Sequence, residues 1–374
     1  MARKPLASTE YEVEDLEEAI DLYYRRGWTD GLPVVPPTQE RVWRFLEAAR
    51  REPDEVLGVY LDRHRVVTVE KVAINAVMAG CLPEYLPVVL AIIEGMLEPG
   101  WGLHPANSTT GGAAIGFVIN GPVRLSIGMN HQGNVMGPGN RANSTIGRAV
   151  RLTQINVMGS VSGAGGDAAS SRDIFDRATL GQPAKYACYH IVENEEDFPS
   201  LLPLHVERGF GKEQSVATVF GTSGHVQVAV HGEHSAEETV ETIARHMVTT
   251  GKFHVGSTPG ADRAASPKFC VIVIPPEKAE YFVRDGWSKG DIRNAIFERT
   301  RRSVAWVKEQ GWFADGAWGR RNGGPRPGDE QHMLDLIESP DHVLAVVAGA
   351  PAGPFAQFML PYYMNRPTSR VIKL

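Results

Sequence analysis

The chain has 374 residues, a formal net charge of −6, 43% hydrophobic and 22% charged residues. That is the composition of an ordinary globular protein, too long for a single small core, so two domains or one large duplicated domain are expected. The acidic balance argues against a nucleic-acid partner, and the short basic cluster Arg299-Thr-Arg-Arg302 reads as a solvated helix face.

Val13 to Arg26 reads as an amphipathic helix with Leu16, Ile20 and Tyr23 on one stripe and Gly27 as its stop. Gly27-Trp-Thr-Asp-Gly-Leu-Pro-Val-Val-Pro-Pro-Thr38 follows as a rigid extended loop. Thr38 caps a second helix to Arg50, with Val42, Phe45, Leu46 and Ala49 inward. Thr68 caps a third through Ala79, and Pro83 opens a fourth to Leu97. The apolar run Leu86 to Leu97 is too short to span a bilayer and carries Glu94. Ala114 to Asn120 reads as a buried strand, and Ser144 to Asn156 as a helix capped by Asn143. Gly159 to Ser171 reads as a loop. Val216 to Phe220 and Val226 to Val230 read as two strands, and Ser235-Ala-Glu-Glu238 as a capping box opening a helix to Thr249. Phe269 to Ile274 reads as a strand, followed by helices at Lys278 to Arg284 and Asp291 to Arg302. Gly311 to Asp329 reads as a long loop or lid, and Val343 to Val347 as a strand. The alternation defines an α/β fold. The expected organisation is a helical, proline-rich segment over 1–65, a first α/β half over 66–200 and a second over 201–374.

A phrase recurs within the chain. Asn107-Ser-Thr-Thr-Gly-Gly-Ala leads to Ile119-Asn120, and Asn143-Ser-Thr-Ile-Gly-Arg-Ala leads to Ile155-Asn156 at the same offsets. A wider parallel links His104-Pro-Ala-Asn-Ser-Thr with His254-Val-Gly-Ser-Thr, each after an apolar helix. Duplication of two α/β halves with a site at their interface is one reading; chance similarity of low-complexity sequence is the other.

Between the two phrases lies Asn130-His-Gln-Gly-Asn-Val-Met-Gly-Pro-Gly-Asn-Arg141, a run of carboxamides and glycines that a core does not require. It reads as a cradle for a small polar, anionic ligand. Asn107, Asn130, Asn134, Asn140, Asn143, Ser144 and Thr145 supply polar groups, and Arg141 a bidentate grip. His131 is the candidate acid/base, with His104 and His254 as rivals. Trp28 and Asp30 close the pocket, Asp30 orienting a base or binding substrate. The competing reading makes the block a set of tight turns with a plain helix cap, and Asp30-Gly31 simple turn chemistry. Lys71 as an amine nucleophile stands against a surface lysine; Lys185 and the run His205-Val-Glu-Arg-Gly209 are further cleft candidates.

The expected chemistry is cofactor-independent: a lyase or hydrolase working by acid/base catalysis at a carbon–heteroatom bond. The alternative is a metal enzyme using His225, His231 and His234, with Glu233 beside them, although no HExxH or CxxC spacing is present. Cys81, Cys188 and Cys270 share no CxxC spacing and read as reduced thiols. With no apolar signal segment, the chain reads as cytoplasmic.

The runs Gly27 to Thr38, Val69-Glu-Lys-Val-Ala-Ile-Asn-Ala-Val-Met-Ala-Gly80, Gly137-Pro-Gly-Asn-Arg-Ala-Asn143 and Leu204-His-Val-Glu-Arg-Gly-Phe210 carry a resemblance over residues 20–220. They resemble a poorly characterised bacterial family with the GWTDGLPVVPPT signature, associated with proteins bearing a Cys/Sec-Gly-Ser-Cys motif. The resemblance implies thiol-related or carbon–heteroatom chemistry with a thiol-bearing partner subunit, since this chain has no Cys-Gly-Ser-Cys of its own. A ligand-binding subunit of such a partner, or a homo-oligomer, is compatible with it.

Overall fold

The computed structural model describes residues 3–161, 175–250, 269–311, 328–362 and 366–374. The chain is an α/β protein that divides into two compact units. The first holds Met1–Glu193, His205–Gly224 and Arg366–Leu374; the second holds Asn194–Leu204 and His225–Asn365.

The first unit opens with α1, Leu16–Arg26, capped by the Asp15 side chain and ended by Gly27 in a left-handed conformation. Its expected inward stripe is only partly covered, Ile20 and Tyr23 being half-buried. Ala19 is the buried residue, and Leu16 is 61% exposed. Helix α2, Gln39–Ala49, does bury Val42, Phe45, Leu46 and Ala49 beneath its Thr38 cap. A hairpin of β1, Val56–Tyr60, and β2, Arg65–Thr68, was not apparent from the sequence. Thr68 then caps α3, Val69–Ala79. Glu70 and Lys71 at its start tie down the N-terminal segment: Glu70 accepts from the Ala7 and Ser8 amides, and Lys71 Nζ donates to Ser8 Oγ at 2.8 Å.

Helix α4, Leu86–Met96, is buried almost all round, as its continuous apolar run requires. Glu94 is the exception and pairs with Arg51 at 3.1 Å. The short α5, Leu103–Ser108, leads to β3, Ala114–Asn120, which is fully buried. A single turn, α6, Val123–Ser126, precedes α7, Arg141–Asn156, which packs along α3. Strand β4, Tyr189–Val192, lies parallel to β3, and beyond the short α8, Leu204–Glu207, β5, Val216–Ala229, lies antiparallel to β3. The two expected strands at 216–220 and 226–230 are thus one strand. The C-terminal strand Thr368–Val371 covers the other side of β5, pinned by Arg208 Nε donating to Ser369 Oγ at 2.7 Å.

The second unit carries α9, Ala236–Val248, β6, Cys270–Ile274, α10, Pro276–Arg284, α11, Lys289–Thr300, and the small elements β7, Arg302–Ser303, α12, Val304–Glu309, and β8, Met333–Leu334. Strands β9, Val343–Val347, and β10, Phe355–Pro361, complete its sheet. Strand β6 lies between β9, parallel to it, and β10, antiparallel to it. The full reciprocal capping box is Ser288 with Asp291 at α11; at α9 the Glu238 carboxylate reaches the His234 amide instead.

The repeated phrase does not fold twice in the same way. Its first copy ends α5 and runs into β3, whereas its second lies inside α7. Among the described residues no helix is long and apolar enough to cross a membrane.

Candidate functional site

Asn130, Asn134 and Asn140 bond the loop 128–140 and the helix start that follows it. Asn140, not Asn143, caps α7: its Oδ1 accepts from the Asn143 amide at 3.0 Å and its Nδ2 donates to Gly128 O at 2.8 Å. Asn143 is fully buried one turn in. Its Oδ1 takes the Asn130 amide, and its Nδ2 donates to the Asn130 and Val135 carbonyls. Asn130 closes an Asx turn on Gln132 and donates to Gly133 O. Asn134 is left-handed (φ 62°) and donates to Pro138 O at 2.7 Å. A Cβ on Gly137 would stand 1.9 Å from the Asn134 oxygen, so a larger residue there would displace the Asn134 side chain. The loop is a set of tight turns running into a helix capped by Asn140. His131 lies half-buried in this loop.

Other expected site residues are also engaged. Asp30 accepts a bidentate pair from Arg148 Nε and a terminal nitrogen, both at 2.8 Å, and its carboxylate is 4% exposed. This clamps the Gly27–Thr38 loop to α7. Trp28 stands edge-on to Tyr11 at 5.3 Å, and its carbonyl accepts from Asn156. Arg141 Nε donates to Gly80 O at 3.0 Å, and the Thr145 hydroxyl to Arg141 O at 2.7 Å. The Ser144 amide bonds Asn140 O as part of the helix start.

A second group of expected residues gathers near the other end of α7. Gln154 Nε2 donates to Asn107 Oδ1 at 2.7 Å, both side chains being buried. The eleven residues from Asn143 to Gln154 place this group roughly 16 Å along the helix from the loop. His104 is 43% exposed, with Nδ1 at 3.4 Å from the Tyr60 hydroxyl and 3.8 Å from the Asp62 carboxylate, which is 52% exposed. The imidazole stands edge-on to Phe175 at 5.2 Å, and the Arg63 guanidinium lies 4.6 Å over the same ring. Burial pushes the Tyr60 phenol up to about 12, opposed by the Asn107 amide, which reaches towards the phenol oxygen without full hydrogen-bond geometry. Tyr60, Asp62 and Arg63 lie in and just after the first strand of the hairpin that sequence patterning did not expose.

Sequence reasoning also missed a buried ion cluster. Asp176 takes Lys185 Nζ on both oxygens at 2.7 Å and an Arg151 nitrogen at 3.0 Å. Burial lowers the Lys185 ammonium from its ordinary value, with Asp176 opposing. Lys185 is thus an ion-pair partner. His205 is fully buried, its Nε2 3.3 Å from Lys212 O. His190 on β4 is buried against the Ala187 carbonyl at 3.2 Å, and desolvation lowers its pKa.

In the second unit His225, His231 and His234 are exposed, and His231 stands against Phe355 at 4.8 Å. Among the described residues no three His, Cys, Asp or Glu side chains converge to hold a metal ion. His254 and most of the 159–171 and 311–329 loops lie outside the described residues. All three cysteines are buried, and desolvation pushes Cys81 and Cys188 to about 12 and Cys270 higher still. No protein-family model matches the chain, and no curated protein matches its sequence.

Proposed function

We propose that this chain is an enzyme acting on a small polar, anionic substrate by acid/base chemistry at a carbon–heteroatom bond, with the reacting groups at His104 rather than His131. The observation that carries the reading is an accessible imidazole flanked by a buried phenol and an accessible carboxylate. A proton donor and a proton acceptor on one rim are what elimination or hydrolysis requires. Asn107 and Gln154 form a polar floor, and the Arg63 guanidinium on Phe175 gives the rim a positive edge for an anion.

The test is a panel of hydroxy-, amino- and thio-carboxylic acids assayed for elimination and hydrolysis. Loss of a general acid/base costs about 10²–10⁴-fold, so His104→Gln loses at least that much while His131→Gln stays within a few-fold. Turnover untouched in His104→Gln refutes the assignment.

A second reading, a ligand-binding subunit of a thiol-bearing partner, is favoured by the cysteines. Each is buried, and desolvation keeps Cys81 and Cys188 as neutral thiols, so in this reading the thiolate belongs to the partner. It predicts ligand binding without turnover until the partner is added.

A further inference from the structure

A directional chain of hydrogen-bonding groups stands behind His104, and its catalytic meaning rests on the role proposed for that residue. Gln154 Nε2 donates to Asn107 Oδ1, which uses the carbonyl end of the Asn107 carboxamide. The amino end of Asn107 is then the buried donor left without a hydrogen-bond partner, on the side of the Tyr60 oxygen but outside full hydrogen-bond geometry. A phenol oxygen approached by a donor on one side keeps its own proton for an acceptor on the other. On that other side, at 3.4 Å, stands His104 Nδ1. Tyr60 holds its proton throughout the neutral range, because burial disfavours the phenolate.

We propose that Gln154, Asn107 and Tyr60 fix neutral His104 in the tautomer that carries its proton on Nε2, so that His104 meets its ligand as an N–H donor. The labour on the rim is thereby divided. His104 Nε2–H takes an oxygen of the substrate, a carbonyl or carboxylate on which negative charge develops, and the Asp62 carboxylate is the accepting group. The ligand class that fits is a small carbonyl or carboxylic acid whose oxygen accepts from the imidazole. Tyr60, Asn107 and Gln154 are positioning residues that act through the ring. Asp62 opposes them: a carboxylate 3.8 Å from Nδ1 favours a proton on that nitrogen. If both carboxamides were turned end for end, Asn107 would accept the Tyr60 proton, Tyr60 would accept from Nδ1–H, and His104 would show a bare, basic Nε2.

Two-bond proton–nitrogen spectra of the histidine-labelled full chain distinguish the two arrangements, with His104 assigned by its loss in His104→Gln. The expected wild-type pattern of the neutral ring is the Nε2–H tautomer. Tyr60→Phe moves the majority to Nδ1–H, facing Asp62, and Asn107→Leu moves it in the same direction. A wild-type Nδ1–H pattern, or a Tyr60→Phe pattern identical to wild type, overturns the proposal. The wild-type spectrum needs no variant other than the assignment control, so failure of Tyr60→Phe to fold leaves the test intact. The two levels fail separately. An Nε2–H tautomer with turnover intact in His104→Gln removes the enzyme assignment and keeps the chain. An Nδ1–H tautomer with turnover lost in His104→Gln removes the chain and keeps the acid/base reading.

Discussion

Replacing Asp30 by Ala tests whether this residue is a clamp or a reacting group. The Asp30–Arg148 pair is bidentate at 2.8 Å, with side chains 4% and 17% exposed. Removing one partner of such a pair costs about 3–5 kcal/mol, because the other charge is left buried. Arg148 keeps its bonds to the Leu32 and Pro33 carbonyls, which sets the expectation at the lower end, about 3 kcal/mol. The loop also loses the bond from the Leu32 amide to Asp30. The Val35 amide, bonded to Met78 O, reports on whether the loop stays docked. Its hydrogen exchange accelerates roughly 10²-fold in Asp30→Ala, at about 1.4 kcal/mol per decade. Arg148→Ala has a similar effect, and the double variant costs much less than the sum, with a coupling of about 2 kcal/mol. Additive effects, or an acceleration below about tenfold, would show that the pair does not anchor the loop. Turnover lost in Asp30→Ala while Val35 exchange is unchanged would return Asp30 to the reacting groups.

Other consequences can be measured directly. Gly147→Ala would place a Cβ 1.8 Å from the Ala187 carbonyl oxygen, so it destabilises the first unit by about 1–3 kcal/mol or more, read by denaturant unfolding. Iodoacetamide at mildly alkaline pH leaves the native thiols unmodified and labels all three once the chain is unfolded, by mass spectrometry; labelling of native Cys81 or Cys188 would contradict their burial. His190 binds its proton less readily folded than unfolded, so the unfolded chain takes up more protons as pH falls below about 6.5. Its contribution is present above that pH and is lost as pH drops towards the folded value, and His190→Leu flattens that part of the stability profile. Plasma mass spectrometry of untagged protein tests the metal alternative, which a stoichiometric transition metal would revive.

Helices announced themselves in the sequence where periodicity and caps agreed. Thr38 and Thr68 each precede an apolar pattern and each accepts the expected backbone amide. Strands inside continuous apolar runs, such as Ala114–Asn120 and Val343–Val347, were equally legible. Asn140 and Asn143 show the limit. Both can cap a helix, and the three-residue difference is decided by Asn143 being needed inside the turn to hold Asn130 and Val135. Pattern also overstated α1, since an amphipathic stripe records what a helix could bury, and here the neighbours fully bury only Ala19 and leave Ile20 and Tyr23 half-covered. The hairpin bearing Tyr60 and Asp62 has no clean alternation, because Val56, Val59 and Val66 are exposed while Tyr60 and Val67 are buried.

The polar block also shows why a dense run of carboxamides is weak evidence for a ligand site. A long irregular loop beside a helix start has many backbone groups without ladder partners, and each must be satisfied. Asn130, Asn134, Asn140 and Asn143 supply those partners, so a dense run of carboxamides is what a self-supporting loop needs. Reactive groups have the opposite requirement: a polar atom left available at an accessible edge. The rim proposed at His104 has that character, with Nδ1 at 3.4 Å from the Tyr60 hydroxyl, and its neighbours come from separate stretches of chain at Tyr60, Asp62, Asn107 and Gln154. Composition concentrates where structure is being held, whereas this rim is assembled from single residues far apart in sequence. Comparing His104→Gln with His131→Gln therefore tests more than an assignment: it asks whether the carboxamide block is scaffold, the role its internal hydrogen bonds favour.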